Sequence, residues 1–145
     1  PKPSRDWLED DLSQLRSIGV HRIVSMLTSE ENDILGLREE EALCRRIGLE
    51  FTSVPVLDRG VPEKEAVRSI VSCIVSDLSR GWGVAVHCRA GIGRSGLVVC
   101  CVLTAFGVSG SDAVDRVSQS RGVAVPDTSE QRDFILSFAT WPCHF

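Results

Sequence analysis

Apolar positions along the chain follow two rhythms, a three-to-four-residue spacing in long segments and unbroken runs in short ones. Trp7, Leu8, Leu12, Leu15 and Ile18 share one face of a helix predicted over 4–18, with Ser4 as its cap and Gly19 as its stop. Ile23, Val24 and Met26 make 22–27 a buried strand. A polar stretch at 28–33 separates it from a helix over 37–47 that Gly48 closes, and 50–56 reads as a second strand that ends around a proline. Asp-Arg-Gly followed by Val-Pro marks 57–62 as a loop. Ala66, Val67, Ile70, Val71, Ile74, Val75 and Leu78 then recur at helical spacing through 63–80, and Gly81 ends the run. The third strand is 82–86. Apolar 96–106 is long enough for a helix, and Ser111 opens another that runs to 120. Thr128-Ser129-Glu130-Gln131 is a capping box that starts a last helix to 138.

Strands that alternate with helices predict an α/β fold, with a mainly parallel central sheet covered by helices on both faces. With 145 residues, 43% of them hydrophobic, the chain has material for one core and not for two, so 1–145 is read as a single domain. Acidic side chains outnumber basic ones by 20 to 16, and the net charge of −4 leaves no basic excess to neutralise the phosphates of nucleic acid or membrane. Neither is expected as a partner, and any attraction for phosphate has to be local. Most of the six cysteines fall in apolar helical runs rather than in short loops, which favours a reducing, cytoplasmic setting over a disulfide framework. Cys100 and Cys101 are adjacent on one helix, point in different directions and are not expected to bond to each other. No stretch has the length and apolarity of a membrane span, no signal peptide opens the chain, and the start at Pro1 leads us to expect that upstream residues have been removed. Trp7 and Trp141 are read as packing residues or as cover for an exposed sheet edge.

The run His87-Cys88-Arg89-Ala90-Gly91-Ile92-Gly93-Arg94-Ser95-Gly96 lies between the third strand and the helix after it, and it changes the picture from fold to chemistry. Glycines at 91 and 93 let the backbone curl so that successive N–H groups from Arg89 to Arg94, through Ala90 and Ile92, point inward and form a nest for an anion at a helix N-terminus. Arg94 adds a bidentate clamp for two phosphate oxygens. The same donors stabilise a thiolate at Cys88 and lower its pKa. An ionised sulfur facing a bound phosphorus is a nucleophile.

His-Cys, five residues, Arg, then Ser resembles the signature of the cysteine-dependent protein tyrosine and dual-specificity phosphatases, and 87–95 fits it at every fixed position. The resemblance runs from about Trp7 to Phe138 and is most like the kinase-associated phosphatase subgroup. It implies a sheet of four or five strands and hydrolysis through a cysteinyl-phosphate, with neither metal nor organic cofactor. It also implies a general acid about thirty residues before the nucleophile, and Asp58 stands thirty residues before Cys88 in a matching loop. Ser95 is then the donor that assists the departing thiolate, and His87 a supporting residue that holds the cysteine loop in shape. The segment 126–131 looks like the loop that places the hydrolytic water, with Gln131 matching one glutamine of the pattern and Asp127 replacing the other; helix capping alone also accounts for Asp127. Arg89 and Arg59 flank the pocket, where they would meet further acidic groups of a substrate. Cys44 or Cys73 either protects an oxidised Cys88 or simply fills the core. The expected substrate is a phosphorylated protein or peptide; a phosphoinositide or inositol phosphate phosphatase and a non-catalytic phosphopeptide-binding module are the alternatives. With no tyrosine in the chain to build a deep phosphotyrosine slot, a shallow pocket is expected.

Overall fold

The structure, a computed structural model, describes residues 5–139, with side chains from Leu8 to Phe138. Along the chain run α1 (Arg5–Ser17), β1 (Val20–Ser25), α2 (Ser29–Leu35), α3 (Glu40–Ile47), β2 (Glu50–Ser53), α4 (Lys64–Ser79), β3 (Gly83–His87), α5 (Arg94–Ala105), α6 (Gly110–Arg121) and α7 (Ser129–Ala139). Among the described residues the sheet has three strands, all parallel, in the order β2-β1-β3. The central position of β1 explains the burial of Ile23, Val24 and Ser25 on successive sides of the strand, because both of its faces and both of its edges are covered there. Successive side chains alternate between two cores. Ile23 packs with Leu8, Leu12, Leu43, Cys44 and Leu49 against α1 and α3, whereas Val24 belongs to the larger core that α4, α5, α6 and α7 build on the other face. Helices thus cover both faces, as the α/β pattern predicts.

The register sets Ser25 of β1 opposite Ser53 of β2 and His87 of β3, so the three strands end at one level. In a parallel sheet the loops leaving those carboxyl ends form the crevice where ligands bind. Here they are 26–28, 54–63 and 88–93. At the opposite ends of the strands, buried Asp77 accepts hydrogen bonds from Arg22 Nε at 2.5 Å and from Arg80 Nη2 at 2.6 Å. Arg80 lies 4.0 Å over the Trp82 ring, which stacks on His21, so one carboxylate fastens the end of α4 to β1 and β3.

Several boundaries differ from the sequence expectation, each for a physical reason. The polar stretch at 28–33 opens a helix, α2, because Thr28 and Glu31 form a capping box and Gly36, at φ 72°, ends it. The next helix starts only at Glu40. Strand β2 stops at Ser53 because Pro55 has no N–H, although Val54 and Val56 still donate to Ser25 O and Met26 O and carry the chain to the site. Helix α5 begins at Arg94, inside the motif, and α6 begins at Gly110 with Ser109 as its cap, ahead of Ser111. Ile18 is 72% exposed, since α1 ends at Ser17 and leaves it outside the helical face. Ser4, the Trp7 side chain, Trp141 and Cys143 lie outside the described residues. Cys44, Cys73, Cys88, Cys100 and Cys101 are free thiols, and no described helix is long and apolar enough to cross a membrane.

Candidate active site

Strand β3 delivers His87 and Cys88 to the crevice, and α5 takes over at Arg94, so the residues between them must reverse the chain in one tight loop. Gly91 makes this possible with φ at 72°, a conformation side chains with Cβ disfavour. Gly93 is required for a different reason. A Cβ there would stand 3.0 Å from both Asp127 Cβ and Gln131 Oε1, so the loop packs against Asp127 and the start of α7 closely enough that a methyl group would have to push them apart. Inside the loop Cys88 Sγ lies 3.2 Å from Ser95 Oγ, and Ser95 is buried. Burial by itself would push the Cys88 thiol up. Hydrogen bonds from the Ser95 hydroxyl and N–H and from the Gly91 N–H, with the Arg94 charge added, outweigh burial and hold the thiol below its ordinary value. Cys44 and Cys100, which lack such donors, go the other way, to about 12 and about 11.

Arg94 sits at the first turn of α5, 1% exposed, and the terminal fork of its guanidinium faces Glu31. Nη1 donates to Glu31 Oε1 at 2.6 Å and Nη2 to Oε2 at 2.9 Å, while Nη1 also reaches Val56 O at 2.7 Å. The Arg94 guanidinium, helped by the Thr28 N–H, holds the Glu31 carboxyl at about 2 against the desolvation that opposes it. Glu31 was not singled out from the sequence, yet the Thr-x-x-Glu spacing at 28–31 is the same capping signal as at 128–131. Nη2 also lies 3.4 Å from Asp58 Oδ1, and Nε–H has no protein partner among the described residues.

Asp58 occupies a turn in which Gly60 N donates to Leu57 O at 2.8 Å and Arg59 takes a positive φ of 61°. Its side chain is 59% exposed, so a carboxyl faces Arg94 from the solvent side of the loop. The structure therefore brings Cys88, Arg94, Ser95 and Asp58 to one place. His87 Nε2 is 3.0 Å from the buried carboxylate of Glu40, at the start of α3, a second partner that the sequence reading missed. The segment after β1 thus holds both ends of the loop, His87 through Glu40 and Arg94 through Glu31. Arg89 and Ala90 are exposed, and Ile92 is half-buried against the larger core. Gln131 is fully buried and Asp127 lies beside it, with Arg59 Nη1 3.8 Å from Asp127 Oδ2. Among the described residues, no group of three or more His, Cys, Asp or Glu side chains is arranged to hold a metal ion.

Comparison with known proteins gives the same outline. The chain is 25% identical over 139 residues to cyclin-dependent kinase inhibitor 3 of Homo sapiens, covering 94% of this chain and 66% of that protein. It is 31% identical over 136 residues to dual specificity protein phosphatase 2 of Mus musculus, covering 92% of this chain but 39% of that protein. It spans about two thirds or less of the length of these curated relatives. Among solved structures, the kinase-associated phosphatase with its catalytic-site cysteine replaced by serine superposes at a TM-score of 0.84, with 24% identity over 90% of this chain and 74% of that one. The active form of Tk-PTP superposes at 0.79, with 26% identity over 90% of this chain and 85% of that one. Residues 3–134 match the family described as the Swiss Army Knife protein, DSP-PTPase phosphatase domain (PTP-SAK), and the chain therefore belongs to the DSP-PTPase phosphatase family.

Proposed function

We propose that this chain hydrolyses phosphomonoesters on phosphorylated proteins or peptides through a cysteinyl-phosphate at Cys88. The observation that carries the proposal is the placement of Cys88 Sγ 3.2 Å from the Ser95 hydroxyl, in a loop whose Gly91 and Ser95 N–H groups and Arg94 charge favour the thiolate. Those donors are N–H groups arranged for a bound anion, so they serve the phosphoryl oxygens as well as the sulfur. Arg94, whose terminal fork belongs to Glu31, offers Nε–H to one phosphoryl oxygen, and its second Nη2 hydrogen, which meets Asp58 Oδ1 at 3.4 Å, turns to another when phosphate enters. Glu31 fixes the guanidinium in place beforehand, so little side-chain entropy is lost when phosphate arrives.

In the first step the Cys88 thiolate attacks phosphorus, the bond from phosphorus to the ester oxygen breaks, and the protonated Asp58 carboxyl gives its proton to the leaving oxygen. The second step reverses the roles: a water attacks the thiophosphate, Asp58 takes its proton, the P–S bond breaks and inorganic phosphate forms. The Ser95 hydroxyl, 3.2 Å from Sγ, donates to the thiolate as it departs. Leu57 at 76% exposed and Arg59 at 64% stand on an open rim with exposed Arg89, which favours a shallow pocket over a deep phosphotyrosine slot. Both phosphotyrosine and phosphoserine or phosphothreonine reach the sulfur in such a pocket.

Purified protein tested on aryl phosphates and phosphopeptides between pH 5 and 8 should turn both over. Cys88→Ser should lose turnover and keep tungstate affinity, since the loop N–H groups and Arg94 remain. Activity of Cys88→Ser near wild type would remove Cys88 as the nucleophile, and tungstate binding without any wild-type turnover would favour a phosphate-binding module. Parallel assays on phosphoinositides distinguish a lipid substrate.

A further inference from the structure

Gln131 is the least exposed polar side chain among the described residues. It is 0% exposed, at the first turn of α7. Its Oε1 accepts from the backbone N–H of Asp127 at 3.1 Å and of Thr128 at 3.2 Å, and its Nε2 donates to Gly60 O at 3.0 Å. Two N–H donors on one side and a carbonyl on the other fix which way the amide points. Both lone pairs of Oε1 are committed, so an attacking water finds no acceptor on this side chain. The amide also packs directly on Gly93 of the catalytic loop, where a Cβ would come within 3.0 Å of Oε1 and 3.1 Å of Nε2.

Gly60 closes the turn that carries Asp58, through its N–H to Leu57 O. The exposed Arg59 and Asp127 are 3.8 Å apart, a weak contact in water, and Asp58 itself reaches Arg94 only at 3.4 Å. The bond from the fully buried Gln131 to Gly60 O therefore ties the far end of that turn to the site, as Arg94 Nη1 to Val56 O at 2.7 Å ties its near end. We propose that Gln131 is a positioning residue for the general acid: its amide pins the Asp58 turn against the catalytic loop, so that it serves proton donation in the first step rather than the placement of water in the second. This rests on the phosphatase function proposed above.

The two roles differ in kinetics. A residue that places the acid affects kcat/KM, which reports the step that forms the phosphoenzyme, and it does so most for poor leaving groups. A residue that places the water slows breakdown of a common phosphoenzyme, which gives a burst, one kcat for all substrates and an unchanged kcat/KM. Misplacing a catalytic group costs on the order of 100-fold. Gln131→Ala and the isosteric Gln131→Glu, which replaces the Nε2 donor to Gly60 O but keeps acceptors for the N–H groups of Asp127 and Thr128, should each lower kcat/KM on a phosphoserine peptide by roughly 10- to 100-fold. The loss of kcat/KM on p-nitrophenyl phosphate should be about threefold or less, since its leaving group needs little protonation. In an Asp58→Ala background neither change should cost more than a small factor. The rate at which iodoacetamide alkylates Cys88 should stay at the wild-type value in Gln131→Glu, which separates loss of positioning from loss of fold. A burst with kcat/KM preserved overturns the proposal, as do equal losses on the two substrates. Wild-type protein without turnover overturns the phosphatase function itself, and this proposal with it.

Discussion

A thiol attacks in proportion to its thiolate, and at Cys88 that proportion is set by donors that can be removed one at a time. The Ser95 hydroxyl is the first of them, ahead of the N–H groups of Ser95 and Gly91 and the charge of Arg94, and all act against the burial that favours the neutral thiol. Ser95→Ala removes the hydroxyl and leaves the backbone nest intact. The pH profile of iodoacetamide alkylation should place the wild-type midpoint below that of an ordinary thiol and move it upward in Ser95→Ala. If the same hydroxyl assists sulfur as it leaves, as proposed, Ser95→Ala should also show a burst of p-nitrophenol followed by slower turnover. An unmoved midpoint would mean that the backbone N–H groups alone set the thiolate.

At the scale of elements, α2 is the piece whose role exceeds its seven residues. Thr28 Oγ1 accepts from Glu31 N at 3.3 Å, Glu31 Oε1 accepts from Thr28 N at 3.2 Å, and the same carboxylate takes both ends of the Arg94 fork. One ionised group therefore caps the helix and anchors Arg94 at the start of α5. Its carboxyl is held at about 2 in the folded chain against an ordinary 4.5, so the folded state favours the ionised form. The stabilisation, about 3 kcal/mol, is fully present above the ordinary value and is lost as the pH falls through the interval down to about 2. Urea unfolding midpoints of the wild type should fall across that window, whereas Glu31→Gln should start lower near pH 6 and show a flatter curve; parallel curves would mean the anchor carries no such energy. The same element shows where legibility in the sequence ends. The nucleophile loop reads directly because Cys88, Gly91, Gly93 and Arg94 are close in the chain and each needs its residue type for a local reason. Asp58 lies farther away but on a loop with a recognisable turn and spacing. Glu31 and Glu40 meet Arg94 and His87 only through the packing of α2 and α3 over the strand ends, and their sequence neighbourhood is simply acidic. The capping signal for α2 was present and of the same form as the one read correctly at Thr128, but the polar composition around it hid the helix.

Taken as a whole, the molecule separates its chemistry from a large share of its stability along the strand axis. Cys88, Arg94 and Asp58 gather at the carboxyl ends, while Asp77 with Arg22 and Arg80 closes the amino ends. Arg22 is three residues before Ser25 on β1, about 10 Å along the strand, far enough for effects at the two ends to add independently. Burial pushes the Asp77 carboxyl up, and the hydrogen bonds and charges of Arg22 and Arg80 reverse this and bring it below the ordinary carboxylate value, so the ionised form belongs to the folded state. Asp77→Asn preserves shape and removes the charge, which leaves the largely buried Arg22 without its counter-ion. Breaking a buried pair from one side costs about 3 kcal/mol or more, far beyond an exposed ion pair such as Arg45 with Glu41. Asp77→Asn should therefore lower the unfolding midpoint sharply and leave kcat/KM within about twofold of wild type at temperatures where both remain folded. Glu31→Gln should lower both quantities, because its carboxylate sits at the other end of the same sheet, on the guanidinium proposed to meet phosphate. A loss of kcat/KM in Asp77→Asn that matched its loss of stability would show that the two ends of the strands are coupled, and that the site depends on the register of the whole sheet rather than on the loops at its carboxyl edge.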